Sequence, residues 1–172
     1  MASEAVSGCA CGSARPALGK KRQMNKMRRI RFKPELITAI RSGRKVMTFR
    51  KTEKPEGDYI VEEGGKPYWV HNDTGLRICI VRSWYEPDIE DYANRYFDLE
   101  GFESPQAFLD YILKLYKRDK NPPAGGWAHL FLAAEGDVAL ETGKAIPLTK
   151  ETEEKVKHFF MIQRNGWTGS SG

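Results

Sequence analysis

The chain has no apolar run near the roughly 20 residues that a membrane-spanning helix needs. Its first thirty residues lack the apolar core of a secretory signal, so the expected location is the cytoplasm. Only three cysteines are present, Cys9, Cys11 and Cys79, whereas a secreted disulfide scaffold carries an even set at wider spacing. Cys9 and Cys11 have no second Cys or His pair beside them. His71, His129 and His158 are scattered, so no zinc-like ligand spacing exists and no metal is expected. Neither GxGxxG nor a Walker GK[ST] occurs, which removes the usual glycine-rich phosphate loops, and no cofactor is expected. Acidic residues are scarce at the start: residues 1–51 hold two Glu against 14 Lys and Arg.

What is present fits one soluble domain with tails: 172 residues, 40% hydrophobic and 30% charged. The net charge of +5 hides an asymmetry, because residues 52–172 carry 14 Lys and Arg against 21 Asp and Glu. Cations gathered at one end suit a polyanion, since neutralising phosphates releases counterions. A solvated basic tail has the same composition. Residues 1–29, rich in Ala, Ser, Gly, Lys and Arg and without hydrophobic period, read as a disordered basic tail. The domain spans 30–134, an extension with a helix covers 135–165, and 166–172 reads as a flexible end.

Ile30–Phe32 reads as a short strand. Pro34 sits where a helix tolerates a missing N–H, Leu36, Ile37 and Ile40 form an apolar stripe, and Gly43 suits the stop. Val46–Lys51, Gly57–Val61, 66–71 and Leu76–Trp84 read as strands, with Asn72-Asp73-Thr74-Gly75 as the turn before the last. Cys79 lies within that last strand and reads as a small core residue. Pro87–Phe97 and the segment from Ser104-Pro105 to Tyr116 read as helices, with Ser104 as N-cap. Trp127–Ala133 reads as a central strand and 137–141 as another. Thr149 caps a last helix with Val156, Phe159 and Phe160 inward. The fold class is α+β, a small mixed β-barrel with flanking helices.

Two segments carry chemistry. Ser42–Arg50 packs Arg44, Lys45, Arg50 and the Thr48 hydroxyl into a helix-to-strand junction. Arginine holds phosphate bidentately, and a lysine crowded by cations and partly dry loses proton affinity and can act as a base. A threonine hydroxyl is a weak nucleophile until such a base takes its proton. An exposed turn with solvated charges fits the same spacing. In the second segment, Leu99–Pro105, Glu100 stands before a glycine turn and can point into a cleft. Arg28, Arg29, Arg31 and Lys51 extend the basic surface around the first. Tyr68, Trp69, Trp84 and Tyr85 are candidates to stack on bases.

Together the segments resemble the ASCH domain family. A helix ends in G-x-K-x-x-[TE]-x-R, here Gly43, Lys45, Thr48 and Arg50. Some fifty residues later comes E-G-[FY]-x-S-x-x-x-F, here Glu100, Gly101, Phe102, Ser104 and Phe108. The resemblance covers residues 30–134 and implies a PUA-like β-barrel that handles RNA or a modified nucleoside. Members with the lysine, threonine and glutamate form of the motif resemble N(4)-acetylcytidine amidohydrolases. That likeness implies Lys45 as proton acceptor, Thr48 as nucleophile and Glu100 as proton donor, with Arg44 or Arg50 at the oxyanion. A non-catalytic RNA-binding module using the same basic cleft, and a protein-interaction domain, are the rival readings. Residues three apart on a regular strand face opposite ways. Lys45 and Thr48 therefore converge only if the strand starts late or bulges near Val46.

Overall fold

The computed structural model describes residues 27–165 except 66, 68, 69, 71, 120–122 and 137–143. The expectations for Cys9, Cys11, Tyr68, Trp69, His71, both tails as far as 1–26 and 166–172, and the strand at 137–141 lie outside these residues. So does most of the strand at 66–71, whose described members, Pro67 and Val70, are not in a strand.

In chain order the elements are β1 (Arg28–Phe32), α1 (Pro34–Arg41), β2 (Met47–Arg50), β3 (Gly57–Glu63) and β4 (Asp73–Glu86). They continue with α2 (Ile89–Tyr96), α3 (Pro105–Leu115), β5 (Gly126–Glu135), β6 (Lys144–Ala145) and α4 (Lys150–Asn165). The local causes are legible. Pro34 opens α1 and Ser104 caps α3 by accepting from Ala107 N. Asp88 caps α2, accepting from Glu90 N and Asp91 N, and Thr149 Oγ1 accepts from Thr152 N at the start of α4. Gly43 ends α1 with φ +72, and a Cβ there would come 2.2 Å from Pro147 O, so no other residue fits this turn.

The strands form one mixed sheet in the order β1-β3-β4-β5-β2, with β6 beside β5. Among the described residues only the β1–β3 pairing is parallel. The α+β class is as expected, but among the described residues the sheet does not close into a barrel. Its edge strands β1 and β2 do not pair, and one side chain bridges them. Arg50 reaches from β2 and donates through Nη2 to Arg31 O of β1 at 2.7 Å.

The turn expected at Asn72–Gly75 is not a turn. Asp73 already pairs with Glu62, so β4 has begun there and its connection from β3 lies before it, across residues 64–72. The turn-forming chemistry is absorbed locally: Asp73 Oδ1 accepts from Gly75 N, and Thr74 Oγ1 donates to Val61 O. Further on, the register shifts between Ile80 and Arg82, leaving Val81 as an extra residue. This bulge divides the core. Before it, Leu76, Ile78 and Ile80 share a face with Phe131 and pack under α1. After it, Trp84 turns to the opposite face and meets Phe159 of α4, beside Met47, Phe49 and Leu130. Helices α2 and α3 complete that second cluster through Tyr92, Phe108 and Ile112. Of the residues expected inward on α4, Phe159 is buried, Val156 is packed at the margin and Phe160 is exposed. Cys79, expected in the core, is half-buried, because alternation from Ile78 turns it to the other face.

Candidate functional site at the open seam

The seam between β1 and β2 encloses a cavity of about 230 Å³. Lys45, Thr48, Arg50 and Glu100 line it, with Arg31 at the rim and aromatic walls that include Phe32 and Tyr111. A larger cavity of about 480 Å³ lies on the far side of the Leu99–Gly101 loop, where Arg44 and Lys155 sit. Of the two, the smaller one gathers the motif residues Lys45, Thr48 and Glu100.

Lys45 and Thr48 share this wall because the strand begins late. β2 starts at Met47, leaving Lys45 outside the alternating part. Arg44 N and Lys45 N both donate to Ala39 O, and Val46 N and Met47 N both donate to Leu99 O. Such doubled pairing turns the backbone so that the Lys45 side chain comes round to the side of Thr48. Gly101, with φ +86, completes the arrangement: a Cβ there would sit 3.2 Å from Lys45 Cβ and 3.1 Å from Ala39 Cβ.

The Lys45 ammonium is almost fully buried, and its three N–H directions are all used. It donates to Met47 O at 2.6 Å, Glu100 O at 2.9 Å and Glu100 Oε2 at 2.6 Å. The other Glu100 oxygen, Oε1, accepts from Tyr92 OH at 2.6 Å. Burial pulls the Lys45 pKa down and Glu100 pulls it up; burial is the larger influence. The same burial and the Glu100 charge push the Tyr92 phenol well above its ordinary value, so it stays a donor.

Among the described residues the Thr48 hydroxyl has no hydrogen-bond partner, although Thr48 is only 4% exposed. Arg50 uses one N–H on Arg31 O and rests its guanidinium 4.9 Å from the Phe32 ring centre. Its remaining N–H groups are unpaired yet not sealed from solvent, so they open to the cavity. Burial holds the Tyr111 phenol up at about 12.

Of the other cations named from sequence, Arg31 alone borders this cavity, and the rest stand apart from it. Arg44 bonds Ser42 Oγ and faces the second cavity. Arg29 and Arg31 both pair with the buried Glu62. Arg28 donates to Glu56 O, and Lys51 pairs with Asp119 at 2.7 Å. Trp84 lies in the second core cluster, while Tyr85 is exposed against Trp127. Two residues that sequence reasoning missed touch the site. Tyr92 holds Glu100, and its only signal is a place on an amphipathic helix eight residues upstream. His129, fully buried, donates from Nδ1 to Thr48 O at 3.0 Å and accepts at Nε2 from Lys54 N at 2.8 Å. The Lys54 bond fixes the tautomer, because a backbone N–H requires a bare nitrogen. Burial lowers the His129 pKa to about 4.

Among the described residues no group of three or more His, Cys, Asp or Glu could hold a metal, and no helix is long and apolar enough to cross a membrane. No family model and no curated protein matches the chain. Solved structures do resemble it. The ASCH protein of Zymomonas mobilis is 18% identical over 76% of this chain and 92% of its own, with a TM-score of 0.43. A protein of Enterococcus faecalis V583 is 16% identical over 70% of this chain and 72% of its own, with a TM-score of 0.40. The structural neighbours thus include ASCH domain proteins, but so low an identity and so modest an overlap say nothing about chemistry.

Proposed function

We propose that this chain is an ASCH-type domain that takes a base of RNA or a modified nucleoside into the seam cavity. There it hydrolyses the amide of N(4)-acetylcytidine through Lys45, Thr48 and Glu100. The supporting observation is the unpartnered Thr48 hydroxyl in the wall of a cavity floored by a buried lysine–glutamate pair.

That pair supplies both functions the reaction needs. Lys45 Nζ and Glu100 Oε2 lie 2.6 Å apart, a distance over which one proton can move. Burial pulls the Lys45 proton affinity down, and passing that proton along the bond to Glu100 leaves a free amine to act as the base. The amine takes the Thr48 proton as Oγ attacks the acetyl carbonyl. The acid protonates the cytosine nitrogen as the C–N bond breaks, which restores ammonium and carboxylate. Water then cleaves the acetyl-threonine ester by the reverse sequence and releases acetate. Arg50, with unpaired N–H groups toward the cavity, stabilises the oxyanion; Arg44 faces elsewhere. The cavity is smaller than the roughly 300–1,000 Å³ of drug-sized ligand sites, which suits a single base with its sugar outside.

The test is hydrolysis of N(4)-acetylcytidine, free and within RNA, by the wild type, Thr48→Ala and Glu100→Gln. Thr48→Ala abolishes turnover and leaves nucleoside binding intact. Glu100→Gln lowers kcat by about 10²–10⁴-fold. No turnover of either substrate by a folded wild type defeats the enzyme reading.

One observation favours a second reading. At rest Lys45 and both Glu100 oxygens are fully hydrogen-bonded, as in a structural ion pair. In that case the domain binds RNA without reacting, and Arg50, Arg31 and the basic segment 1–26 supply affinity. Removing residues 1–26 then weakens binding and flattens its salt dependence, while Thr48→Ala has little effect.

A further inference from the structure

The chain leaves β2 after Arg50 and folds back across the sheet, and one side chain ties that return to the site. His129 on β5 lies opposite Thr48 in register. It holds Thr48 O through Nδ1 and Lys54 N through Nε2, six residues later along the chain. Ser83 Oγ of β4 secures the same return by donating to Lys54 O at 3.1 Å. Between the two anchored points stands Arg50, whose N–H groups open to the cavity.

We infer that His129 is the positioning residue of the seam site: by clipping Lys54 to Thr48 it fixes how the chain leaves β2 and so keeps Thr48 and Arg50 aimed into the cavity. The clip works in one protonation state alone. Protonated, Nε2 becomes a donor pointed at the Lys54 N–H, itself a donor, and the bond is replaced by repulsion. The charged groups that bear on the ring, Arg50 from β2 and Lys54 from the returning loop, are both cations and oppose that proton. The site is thus held in shape at neutral pH and released in acid.

This inference rests on the amidohydrolase reading for its kinetic readout and on geometry for a separate one. Two substitutions divide the bonds of His129. Gln carries an amide oxygen and nitrogen spaced much as the two ring nitrogens are, so it keeps an acceptor for Lys54 N and a donor for Thr48 O. Asn places its amide near Nδ1 and leaves Lys54 N unbonded. With N(4)-acetylcytidine as substrate, His129→Gln retains kcat within a few-fold. His129→Asn loses about 10²-fold in kcat, the scale of an ångström misplacement of a reacting group. The wild type also loses turnover as pH falls toward 4, and His129→Gln, whose amide does not titrate, lacks that limb.

The Lys54 amide and the Thr48 methyl are followed by NMR in all three proteins. The amide is protected from exchange in the wild type and in His129→Gln and exposed in His129→Asn, and the Thr48 methyl resonance moves only in the last. Equal activity and unchanged acid limbs in both variants overturn the inference. If the wild type hydrolyses nothing, the enzyme reading falls, and the NMR pair alone decides: a Thr48 methyl that stays put in His129→Asn overturns the inference.

Discussion

Two regions of this molecule concentrate positive charge, and they treat it in opposite ways. Along β1 and its surroundings, Arg28, Arg29, Arg31 and Lys51 are wholly or partly exposed and lean on carboxylates or a loop carbonyl. Around the motif, Lys45 is removed from water and bound by two main-chain carbonyls and one carboxylate. A surface pair contributes little because water competes for both partners, whereas a buried pair is costly to break because nothing replaces the lost partner. Charge density in the sequence is similar in both places; only the fold separates a solvated rim from a dry proton pair.

The comparison breaks most sharply at Lys45 and Glu100. Replacing Glu100 by Leu alone leaves the buried Lys45 nitrogen without its carboxylate and lowers stability by about 3–5 kcal/mol. Combining it with Lys45→Met removes both charges and recovers much of that loss. Urea denaturation of the two singles and the double reads the coupling, and additive losses would contradict a direct pair.

Next comes pH. The folded His129 pKa of about 4 lies below its ordinary value, so the fold favours the neutral ring. Its contribution is therefore complete above about pH 6.5 and is lost progressively as pH falls toward 4, because there the unfolded chain binds a proton that the folded one refuses. The loss is on the order of 2–3 kcal/mol, since each tenfold drop in proton affinity is worth about 1.4 kcal/mol. Denaturation midpoints at pH 7 and pH 4.5 measure it, and His129→Gln should show a smaller fall.

The smallest effect belongs to the rim. Arg29→Ala should change stability by less than about 1 kcal/mol, because Glu62 keeps Arg31 and the lost partner was partly exposed. A thermal shift as large as that of Glu100→Leu would erase the distinction between rim and site.

Much of the architecture could be read from the residues. Pro34, Gly43, Ser104 and Pro105 mark helix ends by chemistry that acts within a few residues, and these positions hold in the structure. The motif residues Lys45, Thr48, Arg50 and Glu100 do meet in one cavity. What the residues do not reveal depends on distant partners. The Val81 bulge arises from register against β5, and the Asn72–Gly75 segment keeps turn chemistry while remaining in a hairpin. One arginine bridges the open seam, a contact that no periodicity encodes. His129 reads as a lone histidine in an apolar strand, and its value comes from two backbone groups far away in sequence. Tyr92 reads as a helix-packing aromatic, since a phenol meeting a glutamate across a loop leaves no pattern.

The open seam also carries a hazard of its own. An unpaired strand edge invites another chain to add on and propagate, and closed barrels escape that hazard by having no edge. Here a main-chain acceptor on each edge is already spoken for: Arg50 occupies Arg31 O on β1, and Lys45 occupies Met47 O on β2. The cations that furnish the cavity thus double as gatekeepers against intermolecular strand addition. A variant that neutralises Arg50 would then be expected to clump on storage even where its melting temperature is unchanged.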